Sequence, residues 1–177
     1  MPRILVVPGL WNSGPKHWQS RWETNDPSSV VRVVQRDWET PRREDWVAAV
    51  EEAVAKAGPN LVLAGHSTAC ATLAFWAPQT RQRVKGLLLV APSDTEGPSY
   101  PKGPTGFSPM PLAPLPFPSI VVASSDDPFV TLARARTFAH AWGAELVEAG
   151  PLGHINSDSD LGMWPLGQQL VERLANA

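Results

Sequence analysis

Residues 60–76 read NLVLAGHSTACATLAFW: an apolar run, the polar knot Gly65-His66-Ser67-Thr68, and a second apolar run. Leu61, Val62, Leu63 and Ala64 are apolar at consecutive positions, the pattern of a short strand covered on both faces. The second run continues without a break until Pro78, the pattern of a helix that stops there. The knot is therefore a turn from a buried strand into a helix, and Gly65-His66-Ser67-Thr68-Ala69 fits G-x-S-x-[GA]. A serine at the centre of such a turn is held in a strained backbone conformation. Its neighbours two positions either side must then be small, as Gly65 and Ala69 are. The helix that follows aims its positive end and its free N–H groups at the same point. Ser67 is the candidate nucleophile; the alternative is a helix N-cap serine in a small-residue packing turn.

Working outward, the same alternation recurs. Residues 4–7 (ILVV), 30–34 (VVRVV), 86–91 (GLLLVA), 119–124 (SIVVAS) and 144–149 (AELVEA) are further strand candidates. In REDWVAAVEEAVAKA (43–57), Trp46, Val47, Val50, Ala53, Val54 and Ala57 share one helical face, and Gly58-Pro59 ends it. PKHWQSRWETN (15–25) spaces Trp18 and Trp22 for one helix face, TLARARTFAHAW (131–142) stops at Gly143, and PLGQQLVERLANA (165–177) closes the chain. Strand–helix alternation implies parallel pairing through right-handed crossovers, hence a three-layer α/β/α sandwich of about six parallel strands.

A chain of 177 residues suits one domain over 1–177, burying roughly 70% of its unfolded surface, enough for a core without staples. The net charge of −2 argues against nucleic-acid or anionic-membrane partners, which ask for a basic excess. No apolar run approaches the ~18 residues of a membrane span, and the apolar part of MPRILVVPGLW is too short for a secretory signal. The single cysteine, Cys70, precludes an internal disulfide and fits a reducing compartment, so a cytoplasmic protein is expected. With no H-E-x-x-H, no Cys/His cluster and no P-loop, neither a metal nor a cofactor is expected. One segment breaks the rhythm: nine of the nineteen prolines fall in 92–118, which forbids a helix or a paired strand there. It leaves the carboxyl end of a strand, where open α/β sheets bind ligands. It reads either as a stiff wall over the site or as a mobile surface excursion.

A serine nucleophile needs a base, an acid and an oxyanion hole. The candidate base is His154, in the glycine-rich AGPLGHINSDSDLG (149–162) that follows the last strand. His66, beside Ser67 on a tight turn, is expected to point elsewhere, and His17 and His140 read as packed or solvated side chains. In VVASSDDPFV (121–130) Asp127 is the candidate acid and Asp126 a turn or capping carboxylate, with Asp94 after LLLVAPS in reserve. The candidate oxyanion donors are the backbone N–H of Thr68 and that of Leu10 or Trp11, such a donor being worth about 2.7–4 kcal/mol in the transition state. Trp11 and Trp164 flank these loops and are candidate walls of a substrate pocket. Trp18, Trp22, Trp46, Trp76 and Trp142, at helical spacing, belong in the core. All the parts fall at carboxyl ends of expected strands.

VVPGLWNSGPKHWQSRWE, LAGHSTACATLAFW, LLLVAPSD, VVASSDDPFV and GHINSDSDLGMWPLG together resemble the successive signatures of the small α/β hydrolases of the retinoblastoma-binding-protein-9 type. Bacterial members of that family are mostly predicted esterases. The resemblance runs over nearly the whole chain, and its most specific piece is GHIN with the following WPLG. It implies a compact serine hydrolase with a six-stranded parallel sheet and no cap domain. It also implies Ser67 as nucleophile, Asp127 as acid and His154 as base, the choices the residues had already reached. The L-x-C-x-E element tied to the retinoblastoma interaction is missing from TACATL around Cys70, so nothing supports that interaction here. The expected function is hydrolysis of a small-molecule ester or related acyl bond through an acyl-serine intermediate. An amidase or peptidase-like hydrolase is the competing chemistry. A non-catalytic ligand- or protein-binding module on the same scaffold is the competing class, with no protein partner specified.

Overall fold

The computed structural model describes residues 2–177. Strands β1 (Arg3–Val7), β2 (Val30–Arg32), β3 (Leu61–His66), β4 (Gly86–Val90), β5 (Ser119–Ala123) and β6 (Glu145–Glu148) form one sheet. All neighbours are parallel, in the order β2-β1-β3-β4-β5-β6. The helices are α1 (Trp18–Asn25), α2 (Arg43–Ala57), α3 (Thr68–Trp76), α4 (Leu132–Trp142) and α5 (Pro165–Ala175). From β1 the chain steps to the edge strand β2, returns to β3 and then proceeds to the other edge. That reversal sets the carboxyl ends of β1 and β3 side by side, Val7 opposite Gly65, at the place where such sheets bind ligands.

Both faces of the sheet are covered, and the side chains sort by the strand's two-residue period. Leu5, Leu63, Leu89 and Val121 turn toward Trp46, Val50, Leu73, Trp76, Phe138 and Trp142 of α2, α3 and α4. Ile4, Val62, Leu88, Val90 and Val122 turn toward Trp18 and Trp22 of α1 and Leu170, Val171 and Leu174 of α5. This is why β3 and β4 lack polar alternation, and it is the expected three-layer α/β/α sandwich. The five tryptophans expected in the core are all fully buried. Each large side chain removed from water contributes about 1.5–3 kcal/mol. No helix among the described residues is long and apolar enough to cross a membrane.

Element ends differ from the sequence pattern for local reasons. The helix expected from residue 15 starts at Trp18, because His17 caps it: its Nδ1 accepts the Gln19 N–H at 3.2 Å. The strand expected over 30–34 pairs only to Arg32, whose guanidinium is drawn to Glu23 at 2.7 Å, and Val34 beyond it lies 72% exposed. β3 runs two residues further than expected, through Gly65 and His66, so Ser67 alone makes the turn. The proline-rich segment holds no helix or strand. It is nevertheless packed: Phe107 and Met110 enter the core, the Phe107 ring 5.8 Å from that of Trp46 in α2, the Thr95 hydroxyl donates to Phe107 C=O at 2.8 Å, and Trp142 Nε1–H donates to Pro111 C=O at 2.7 Å.

Candidate active site

β3 delivers Ser67 to the first position outside α3, with φ 61° and ψ −126°. A non-glycine residue there is strained by about 1–3 kcal/mol and persists only where its surroundings fix it. Two backbone bonds do so: Ser67 N–H donates to Val90 C=O at 3.0 Å, and Ser67 C=O accepts from Cys70 N–H at 3.0 Å. A methyl group on Gly65 would meet Leu73 Cδ1 at 2.8 Å, as the elbow pattern requires. A second bare position was not singled out by the pattern. On Gly9 the same methyl would stand 2.8 Å from Ser67 Cβ and 2.9 Å from His66 C=O, so the loop after β1 presses directly on the elbow.

Ser67, His154 and Asp127 come from three separate loops and meet. His154 Nε2 lies 2.9 Å from Ser67 Oγ, and its Nδ1 lies 3.0 Å from both oxygens of Asp127. The Asp127 side chain is fully buried, and its Oδ1 also accepts the Phe129 N–H at 2.9 Å. A carboxylate facing Nδ1 places the ring proton there, which leaves Nε2 as the acceptor for the Ser67 hydroxyl. Asp126 has the capping role expected of it. It accepts from the Ser124 hydroxyl at 2.8 Å and from Gly153 N–H at 2.7 Å, tethering the loop that carries His154. Asp94, the reserve acid, is committed to Arg134, with Nε–Oδ2 at 2.7 Å.

Several contributors escaped the sequence reading. His66 does not point away: its Nε2–H donates to the His154 C=O at 2.8 Å, and the two rings lie 4.8 Å apart. His17 packs edge-on against His66 at 4.6 Å, completing a row of three imidazoles. Burial pushes His66 well below the usual imidazole range, aided by the neighbouring imidazoles of His17 and His154, beside which a further positive charge is disfavoured. Burial, then Arg32 and His154, push His17 down to about 3, so both stay neutral. Trp18 Nε1–H donates to Ile155 C=O at 3.0 Å and Trp22 Nε1–H to Met163 C=O at 2.7 Å, so α1 clamps both ends of the histidine loop. Gln19, fully buried, donates to Val7 C=O at 3.1 Å and Ala64 C=O at 2.9 Å, joining the ends of β1 and β3. Ser93, just past β4, places its hydroxyl 2.8 Å from Ser67 Oγ. Its one available signal was its place beyond the strand next to β3.

These groups open on a cavity of about 360 Å³ whose wall includes Leu10, Trp11, His17, Thr68, Tyr100 and Phe129. The Tyr100 hydroxyl, pushed up to about 12 by burial, lies 3.1 Å from Thr68 Oγ1. The Leu10 and Thr68 N–H groups have no partner among the described residues and so are free for a ligand oxygen. Two candidates are corrected. The Trp11 N–H is spent on Trp38 C=O at 2.8 Å, because Trp11 turns at φ 61°, so it is no oxyanion donor; its side chain lines the cavity. Trp164 lines no part of it. At φ 46° ahead of α5 its ring turns inward, 5.0 Å from Trp18 and 6.3 Å from Trp22, and is buried. Cys70 is no rival nucleophile, since burial pushes its thiol far up and keeps it protonated. A larger hollow of about 430 Å³ at the β2 edge, walled by Val31, Ala53 and Lys56 among others, includes no histidine.

The sequence model of the serine hydrolase family matches residues 4–173. No curated protein matches the chain. A solved YdeN-like hydrolase of Pectobacterium atrosepticum is 30% identical, with 98% of this chain and 90% of that chain covered and a TM-score of 0.85. The ydeN gene product of B. subtilis is 18% identical over all of both chains, with a TM-score of 0.75. The esterase domain of a Rhodothermus marinus protein is 14% identical, with 98% of this chain and 87% of that chain covered and a TM-score of 0.72. The last two share the α/β-hydrolase fold. By its sequence over nearly its full length, then, the chain belongs to the serine hydrolase family and is an enzyme of that class.

Proposed function

We propose that this serine hydrolase is an esterase that cleaves a small acyl ester through Ser67, His154 and Asp127. The observation that carries the proposal is the unbroken chain from Asp127 through His154 Nδ1 and Nε2 to Ser67 Oγ, opening on a cavity. In this reading Ser67 Oγ attacks the ester carbonyl while His154 Nε2 takes its proton. The carbonyl oxygen becomes an oxyanion between the N–H groups of Thr68 and Leu10, each such donor contributing about 2.7–4 kcal/mol. Collapse of the tetrahedral intermediate breaks the bond to the alcohol oxygen, which takes the proton from His154. The acyl group now sits on Ser67. A water gives its proton to His154, its oxygen attacks the acyl carbon, and Ser67 leaves with that proton. Neutral His66 and His17 add no positive charge beside the imidazolium formed at His154 in each half-reaction.

The same reading takes 1–177 as one domain and the substrate as a small molecule. The lone, buried cysteine supports a cytoplasmic setting. The test is labelling with a fluorophosphonate alongside turnover of p-nitrophenyl acetate and butyrate. Wild type is expected to be labelled and active, and Ser67→Ala neither; undiminished labelling of the variant would end the proposal. Aminoacyl anilides run in parallel are expected to be cleaved far more slowly than the esters, the reverse order marking an amidase.

A further inference from the structure

A hydroxyl oxygen has three directions to offer: its own proton and two lone pairs. At Ser67 the proton points to His154 Nε2, 2.9 Å away. Ser93 Oγ stands 2.8 Å from the same oxygen. With the Ser67 proton committed, the proton between the two hydroxyls is that of Ser93, which donates to Ser67. One lone pair of Ser67 is thereby occupied, and a single lone pair is left for a carbonyl. Ser93 is well placed to hold that direction. It is 2% exposed and has no other side-chain partner among the described residues. The backbone is pinned on both sides of it: Ala91 N–H donates to Val122 C=O at 2.8 Å and Asp94 N–H to Phe129 C=O at 3.0 Å. The Asp94 carboxylate is fixed by Arg134 at 2.7 Å.

We propose that Ser93 is a fourth catalytic residue, whose hydroxyl donates to Ser67 Oγ and aims its attacking lone pair. The proposal rests on Ser67 being the nucleophile. As His154 draws the proton off, negative charge grows on Ser67 Oγ, and a donor already in contact with it strengthens just then. When the acyl-enzyme breaks down, the same oxygen departs with its electron pair and meets the same donor. Ser93 forms no covalent bond and gives up no proton; the proton on Ser67 still passes to His154 and back.

The experiment follows fluorophosphonate labelling, located on Ser67 by mass spectrometry, together with kcat and KM for p-nitrophenyl butyrate. It compares wild type, Ser93→Ala and Ser93→Thr. Loss of one donor predicts labelling and kcat about tenfold slower in Ser93→Ala, with KM and the melting temperature little changed. Ser93→Thr keeps the hydroxyl and is expected to recover most of the rate. Labelling and turnover of Ser93→Ala within about twofold of wild type overturn the proposal. So does a Ser93→Ala protein with raised KM and lowered melting temperature that Ser93→Thr does not repair, since that is a packing effect. Wild type labelled somewhere other than Ser67 overturns the nucleophile assignment as well, which separates the two failures.

Discussion

The cavity has two walls that are held differently along their lengths. The histidine loop is held by directional polar contacts reaching from distant elements: Trp18 to Ile155, Trp22 to Met163, His66 to His154 and Asp126 to Gly153. The proline-rich segment is tied by polar contacts only at its rooted end, Ser93 to Ser67, Asp94 and Glu96 to Arg134 and Tyr100 to Thr68; beyond Tyr100 it is held chiefly by the apolar plugs Phe107 and Met110, with one long-range side-chain bond, from Trp142 to Pro111. The first wall carries a base that must sit within a fraction of an ångström of its partners. The second supplies surface, through Tyr100 and Pro101, with Ser93 at its rooted end. Hydrogen bonds fix direction, whereas apolar plugs fix only depth. Precision is therefore concentrated where proton transfer is proposed.

The contrast is open to attack from the polar side first. Asp127→Asn keeps the shape beside His154 but lets the ring take the wrong tautomer, so kcat is expected to fall by on the order of 10⁴, with KM nearly unchanged. Steady-state kinetics on p-nitrophenyl butyrate check this. Acid comes next. His17 and His66 are held below the ordinary 6.5 when folded and regain it when unfolded, so below that value the unfolded chain binds more protons. Their contribution to stability is complete above about pH 6.5 and is lost as pH falls below it, for His17 down to about 3, by up to about 1.4 kcal/mol per pH unit for each ring. Melting temperatures from pH 7 to 4.5 should drop in wild type and drop less in His17→Asn, whose side chain still caps α1.

Trp18→Phe keeps the aromatic packing and removes the bond to Ile155, leaving a buried carbonyl unpartnered at a cost of about 1–3 kcal/mol. A lower melting temperature together with a lower kcat is expected; an unchanged kcat would mean that the clamp does not position the base. The smallest effect belongs to the proline wall. Tyr100→Phe loses one bond, to Thr68, and should change KM by no more than about threefold while leaving kcat and melting alone. A tenfold loss of kcat there would erase the distinction between the walls.

The fold was legible because a strand covered on both faces must be apolar at consecutive positions through its middle, and residues 61–64 of β3, 87–90 of β4 and 120–123 of β5 say so in four residues each. Ser67, Asp127 and His154 were legible as candidates because each constraint is local: small neighbours about an elbow, a carboxylate ending a strand, a histidine among glycines. What stayed hidden depends on partners far off in sequence. The Trp18 bond to Ile155 spans 137 residues, and the Ser67–Ser93 contact exists only once β3 and β4 lie side by side. The Trp11 N–H and the Trp164 ring were misjudged for a different reason. Both residues adopt left-handed backbone angles, and nothing in the identity of a tryptophan announces that its chain will turn that way.

Trp11, one of eight tryptophans, stands 60% exposed on the cavity wall, while Trp18, Trp22, Trp46, Trp76, Trp142 and Trp164 are sealed in the interior. The native fluorescence of the protein is thereby expected to divide into a blue-shifted, quencher-resistant majority and a red-shifted, iodide-accessible indole at the mouth of the cleft, with the half-buried Trp38 between them. Nature has in effect dye-labelled the doorway: occupancy of the cleft can be followed in real time by light, without attaching a probe.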